Sequence, residues 1–175
     1  MVLWAASLMA ALTLAPAWSG QSYGLTEAEK SAAVLAGVQF CVARAIAVSD
    51  QAPVPGVPQG FEPFELRGHG GGVAYRFGGN ADLTILPIVV ITLGRETMCQ
   101  IRAVQRPGPE TAVHEWLEAQ PEFASEDRAP PARGYANRGY KSIRAGGTLV
   151  ISTVEPEVSS QLRQNYINIG LMKAH

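Results

Sequence analysis

One long apolar segment, residues 31–48, constrains the fold more than any other feature of the chain. Only Gln39 and Arg44 interrupt it, and Thr26 and Glu29 precede it with the spacing of a helix capping box. One helical stripe comprises Val34, Val38, Cys41, Ala45 and Val48, with Leu35, Val42 and Ile46 beside it. A helix that is apolar on most sides must be covered by other elements. We therefore expect a long buried helix near the start of the domain.

A second apolar segment lies at the N-terminus and has a different character. Residues 1–17 carry no charged side chain and end in Ala15-Pro16-Ala17. Small residues two positions apart are typical of a signal peptidase site, so we predict a signal peptide cleaved between residues 17 and 20. The alternative is a retained membrane anchor, but the 16 residues from Val2 to Ala17 are fewer than the roughly 20 that a bilayer core requires. After cleavage we expect no stable membrane span.

The remaining chain, residues 24–175, suits one globular domain with a packed core. Fourteen Lys and Arg side chains face fifteen Asp and Glu side chains, and apolar residues make up 47% of the sequence. A nearly neutral protein lacks the field that captures nucleic acid or an anionic membrane surface. Nucleic acid is therefore not an expected partner.

The two cysteines, Cys41 and Cys99, are 58 positions apart in the sequence. An even number of cysteines in an exported protein predicts a disulfide. Cys41 lies on the buried helix, and Cys99 begins an alternating segment in which Ile101 and Ala103 share its face. A bridge between them would join the helix to the inner face of a sheet.

The rest of the chain predicts an α+β fold with an antiparallel sheet of about five to six strands, the long N-terminal helix and a second short helix. Proline and glycine make residues 50–72 a connector. Strands are expected at residues 73–77, 83–92, 98–104, 135–143, 148–154 and 162–171, and the second helix at 109–119. Short turns between successive strands favour antiparallel pairing, with the helices on one face.

Two motifs resemble catalytic or metal-binding segments but lack the partners those sites need. His69-Gly70-Gly71-Gly72 matches an esterase oxyanion segment, yet no serine has the context of the matching nucleophile elbow. His114 and Glu118 begin like a zinc-protease helix without its second histidine, and we place both on the solvent side of the second helix. We predict no catalytic residue, metal site or cofactor.

The segment around residues 133–144 is the best candidate for a binding surface. It repeats Arg-Gly-Tyr, and the candidate patch comprises Arg133, Tyr135, Arg138, Tyr140, Lys141 and Arg144. Arginine and tyrosine side chains together can bind a polyanion, a glycan or an acidic protein surface. The alternative is an ordinary strand whose long cations pair with nearby acids, of which there are Glu122, Glu126, Asp127, Glu155 and Glu157.

These observations favour an exported, disulfide-stabilised domain of the periplasm or cell envelope that acts by binding and not by catalysis. The expected partner is another protein or an envelope component. One alternative is a small secreted hydrolase of envelope polymers, with His69 or His114 as its base. Such an enzyme would need a cleft in which the histidine meets a carboxylate or hydroxyl. A structural envelope protein is the remaining alternative.

Overall fold

A computed structural model describes most of the chain after the N-terminal segment. The described residues are 26–64, 73–78, 89–94, 98–104, 111–130, 133–144, 147–156 and 164–172. The predicted signal peptide, the glycine segment that follows His69, and residues 83–88 of one predicted strand lie outside them.

The described residues form two helices and eight strands, so the predicted α+β class with an antiparallel sheet is confirmed. The helices are α1 (Glu27–Ser49) and α2 (Thr111–Glu118). The strands are β1 (Glu62–Phe64), β2 (Val73–Phe77), β3 (Val89–Leu93), β4 (Cys99–Val104), β5 (Ala124–Asp127), β6 (Tyr135–Arg144), β7 (Gly147–Pro156) and β8 (Gln164–Met172).

All strands belong to one sheet with the order β1-β2-β3-β4-β8-β7-β6-β5, and every neighbouring pair is antiparallel. The sheet consists of two meanders that meet where β4 pairs with β8. In sequence, α2 lies between the meanders. The chain therefore leaves the centre of the sheet after β4, reaches the far edge at β5 and returns strand by strand.

The predicted number of five to six strands is too low, because the sequence does not reveal β1 and β5. Both are edge strands of three and four residues. β1 contains Pro63 and falls inside the predicted connector, and β5 includes the polar run Ser125-Glu126-Asp127. Neither carries an alternating apolar pattern, so hydrogen bonding to the neighbouring strand determines their conformation.

Helix α1 packs on the sheet as the sequence predicts. The Thr26 hydroxyl accepts a hydrogen bond from the Glu29 amide at 3.2 Å, and the Glu29 carboxylate accepts one from the Thr26 amide at 2.7 Å. The hydrogen bonds that the Thr26 amide and hydroxyl donate to the Glu29 carboxylate lower its pKa. The helix contacts β3, β4, β7, β8 and α2. Its buried side chains, including Val34, Val38 and Ala45, join those of the inner sheet face in one core.

By length and composition alone, residues 28–49 could cross a membrane, but half of the apolar 18-residue window within them is buried inside the structure. Because its apolar side chains contact the sheet and α2, we describe α1 as the core helix of the domain.

The predicted disulfide between Cys41 and Cys99 is present. The two Cα atoms are 5.8 Å apart, a normal separation for a bridged pair. Both residues are buried, so the bond joins α1 to β4 inside the core. An intramolecular disulfide is compatible with an extracytoplasmic protein.

Candidate functional site

Strand β6 divides the predicted Arg/Tyr patch between the two faces of the sheet. Side chains alternate along a strand. Arg138 and Tyr140 lie opposite Thr153 and Ile151 of β7, whose side chains are buried on the face that carries the helices. Arg144 lies on the same face, because an even number of residues separates it from Arg138 and Tyr140 along the strand. Tyr135 and Lys141 then belong to the opposite face, and Arg133 is exposed in the turn before the strand. The six residues do not form one continuous surface.

Tyr140 is also not available as an exposed aromatic contact. Only 1% of its surface is accessible, and it belongs to the hydrophobic core. Burial raises the pKa of its hydroxyl, an effect that the neighbouring Arg138 guanidinium opposes. The hydrogen bond with Tyr140 in turn raises the pKa of Arg138. Both groups therefore keep their protons at neutral pH.

The three cations that β6 contributes to the predicted patch have acidic partners. Arg138 lies 3.1 Å from Glu118 of α2, Lys141 lies 3.4 Å from Glu126 of β5, and Arg144 lies 3.4 Å from Glu122. Two of these acids, Glu122 and Glu126, are among those that the sequence offered for such pairing. The geometry agrees with the alternative interpretation of an ordinary strand, and partner binding by these residues stays a prediction.

Contrary to the prediction from the sequence, His114 does not lie on the solvent side of α2. Only 8% of its surface is accessible, and it is buried together with Val113 and Leu117. Residues three apart in a helix share a face, so His114 is a neighbour of Leu117 and not opposite to it. Glu118 is exposed, as expected.

The buried imidazole of His114 connects α2 to two strands. Its Nδ1 lies 2.7 Å from the Tyr140 hydroxyl on β6, and its Nε2 lies 2.7 Å from Glu155 Oε1 on β7. Glu155 is only 4% accessible. Buried polar groups are stabilising when each one has a partner. The three side chains, His114, Tyr140 and Glu155, are called here the histidine network.

With Glu155 as a carboxylate, two arrangements of protons satisfy the histidine network. If Tyr140 donates to Nδ1, the neutral imidazole donates its Nε2 proton to Glu155. If Tyr140 instead donates to Glu118 Oε1, which lies 3.4 Å away, both nitrogens donate and the ring is an imidazolium facing a carboxylate. In either state both ring nitrogens of His114 are engaged by protein groups.

A pocket of about 260 Å³ adjoins the histidine network on the helix-bearing side of the sheet. It is lined by His114, Asp127, Ala136, Asn137, Arg138, Thr153 and Glu155. Asp127, Arg138 and Thr153 form one row across β5, β6 and β7, and Ala136 lies directly opposite Glu155 in the next row. Because alanine is short, the space in front of Glu155 stays open.

His114 was named from the sequence as the base of the alternative hydrolase, but its pairing with Glu155 was not predicted, although a signal was present in β7. Along β7, residues Leu149, Ile151, Thr153 and Glu155 occupy every second position, and all four are buried. A glutamate at an inward-facing position of a buried strand indicates a buried charge that is paired with another group. From the sequence, Glu155 is instead expected among the acids that pair with exposed cations.

Comparison with protein-family models, with curated proteins and with solved structures gave no match to this chain.

Proposed function

We propose that this protein is an exported, disulfide-stabilised domain that binds another protein or an envelope component, without catalysis, and that the pocket beside α2 is its binding site. The observation that carries the proposal is a pocket of about 260 Å³ whose wall includes the buried, mutually bonded side chains of His114 and Glu155. Groups fixed in this way present a rigid, charged surface to a ligand.

The export part of the proposal is supported by the buried disulfide between α1 and β4. Structural disulfides persist mainly in oxidising compartments. The uncharged segment ending in Ala15-Pro16-Ala17 supports the same localisation. Both features favour the periplasm or the extracellular space as the place where the pocket meets its partner.

The second candidate function is hydrolysis of an envelope polymer with His114 as the base. One observation favours it, because His114 meets a carboxylate and a hydroxyl at a pocket. A general base, however, needs a nitrogen that can reach the proton it removes. Here Tyr140 and Glu155 take both positions, and the Tyr140 hydroxyl is buried too deeply to act as the reacting group. Binding is therefore the better supported function.

Filling the pocket without changing its charge tests the proposal. Ala136→Leu places a large side chain in front of Glu155, whereas Ala124→Leu makes the same change at an exposed position that pairs with Lys141 on the opposite face. We expect the wild type and Ala124→Leu to retain the same components of a solubilised envelope fraction, and Ala136→Leu to lose them. Quantitative mass spectrometry of the retained material measures the difference.

Equal retention by all three proteins would contradict the proposed binding site. A parallel assay separates the two candidate functions: release of soluble fragments from purified envelope polymers by the wild type, lost in His114→Gln, would establish the hydrolase instead.

A further inference from the structure

The pocket beside α2 has an excess of negative charge. Its lining contains Arg138 as a cation and Asp127 and Glu155 as acids. The Arg138 guanidinium is already neutralised by Glu118, at 3.1 Å. Among the described residues, and counting Glu118, one arginine faces three carboxylates. The site therefore stays negative whether His114 is neutral or protonated.

Glu155 indicates where a ligand would bind. It is more than nine-tenths buried, and its Oε1 atom receives the contact from His114 Nε2. Among the described residues, its Oε2 atom has no hydrogen-bond partner. This oxygen is not one of the fully buried side-chain atoms that lack a partner, so it keeps accessible surface where Glu155 lines the pocket. A donor that enters the pocket from outside would complete its hydrogen bonding.

Asp127 supplies a second acceptor at the same pocket. It pairs with Arg138 in the β5–β6 ladder, yet its carboxylate forms no ion pair with any residue that the structure describes. Arg138 instead turns to Glu118 on α2. Asp127 and Glu155 are thus two carboxylates with free acceptor capacity that line one space.

We infer that the pocket binds the primary ammonium group of a small organic cation, with Glu155 and Asp127 as its acceptors. An ammonium group has N–H donors that match carboxylate oxygens. The described residues that line the pocket include no phenyl, phenol or indole ring, which are the aromatic faces that recognise a quaternary ammonium. Within the described chain, no group of three or more His, Cys, Asp or Glu side chains suits a metal ion.

This inference rests on the proposed function, since it names the chemistry of the ligand for the same pocket. The cavity of about 260 Å³ is at the small end for ligand sites. It accommodates an amine-bearing group, such as the end of a side chain or of an amino sugar, and not a whole polymer. The rest of the partner would remain outside.

Titration of the isotopically labelled, oxidised protein with n-propylammonium chloride at constant ionic strength tests the inference. The backbone amides of Asp127, Arg138 and Glu155 should shift in a saturable manner. Three matched probes each change one property of propylammonium. Sodium propionate reverses the charge, n-propanol removes the charge, and tetramethylammonium chloride keeps the charge but has no N–H donor. None of these three should produce the same saturable shifts. Equal responses to propylammonium and to any of them would overturn the inference.

Two substitutions locate the binding site. Asp127→Asn removes one acceptor charge from an exposed residue and should weaken propylammonium binding roughly tenfold, and Ala136→Leu should abolish it. Glu115→Gln removes an acid from the exposed side of α2, outside the pocket lining, and should leave the affinity unchanged. Unaltered binding by Asp127→Asn, or equal weakening by Glu115→Gln, would show that the ammonium binds elsewhere.

The failure of this inference and that of the proposed function are distinguishable. If Ala136→Leu loses the envelope components while propylammonium produces no saturable shift, the pocket binds a partner of other chemistry. If propylammonium binds as described while all variants retain the same envelope components, the ammonium site is real and the proposed function is wrong.

Discussion

At the residue scale, His114 determines how α2 is attached to the sheet. Val113 and Leu117 bury the apolar side of this eight-residue helix, and His114 adds hydrogen bonds to β6 and β7. A buried imidazole is tolerated because each of its nitrogens has a partner. Losing it would leave the Glu155 carboxylate buried and unpaired.

We expect His114→Phe to lower the free energy of unfolding by about 3 kcal/mol, because breaking a buried polar pair strands the remaining charge. Urea denaturation of the oxidised protein measures this change. Glu115→Ala, on the exposed side of the same helix, serves as the control and should shift stability by no more than about 0.5 kcal/mol. A His114→Phe protein as stable as this control would show that the histidine network contributes little.

The same residues show how far sequence reasoning reaches at this scale. The helical period placed Glu118 correctly in solvent, but His114 was assigned to the wrong side although it is three residues from Leu117. The contact between His114 and Glu155 joins residues 41 positions apart. No local pattern specifies such a pair, because it depends on how β7 is registered against β6.

At the element scale, the close approach of α1 to the sheet depends on Gly37. A Cβ atom at this position would lie 3.4 Å from Ile91 and from Ile101. That distance is an ordinary contact for a methyl group but leaves no room for a longer side chain. The helix axis can therefore lie close to β3 and β4, and the disulfide at Cys41 joins the same two layers.

Substitutions at Gly37 should accordingly act in opposite directions. We expect Gly37→Ala to raise the free energy of unfolding by about 0.5–1 kcal/mol, since alanine has the higher helix propensity and its methyl group fits. Gly37→Leu should lower it by about 1–3 kcal/mol through overpacking. Urea denaturation of both variants measures the effects, and a clearly destabilising Gly37→Ala would mean that α1 and the sheet are too close for any side chain.

Edge strands illustrate the limit of prediction at this scale. The predicted bounds of β2, β7 and β8 agree with the structure within a few residues, because each strand has an alternating or strongly apolar pattern. The predicted bounds of β6 agree within one residue although its sequence has neither pattern. β5 has neither, and its conformation follows from pairing with residues 138–141 of β6. The position of Asp127 at the pocket is a consequence of that pairing.

At the scale of the whole molecule, the disulfide fastens the main helix to the place where the two meanders meet. Cys99 begins β4, which pairs with β3 of one meander and with β8 of the other. Cys41 lies in the middle of α1, which contacts both of these neighbours. The cross-link therefore fixes α1 to the strand through which the two meanders are joined.

Removing the disulfide should destabilise the domain without changing its architecture. For the double variant Cys41→Ala/Cys99→Ala, a closed loop with a sequence separation of 58 predicts a loss of about 4 kcal/mol. Guanidinium denaturation of the variant, of the oxidised wild type and of the wild type under reducing agent measures the loss. The variant and the reduced wild type should agree. A variant as stable as the oxidised protein would contradict this account of the bridge.

The sequence by itself determined the buried α1 helix, most of the central strands, the α+β class and the disulfide, because each depends on a local pattern or on a count of two cysteines. Only the tertiary structure decided the eight-stranded order, the division of β6 side chains between two faces, and the meeting of His114, Tyr140 and Glu155. These features depend on strand register and on which elements lie side by side. Such relations bring distant residues together and leave little trace in any short stretch of sequence.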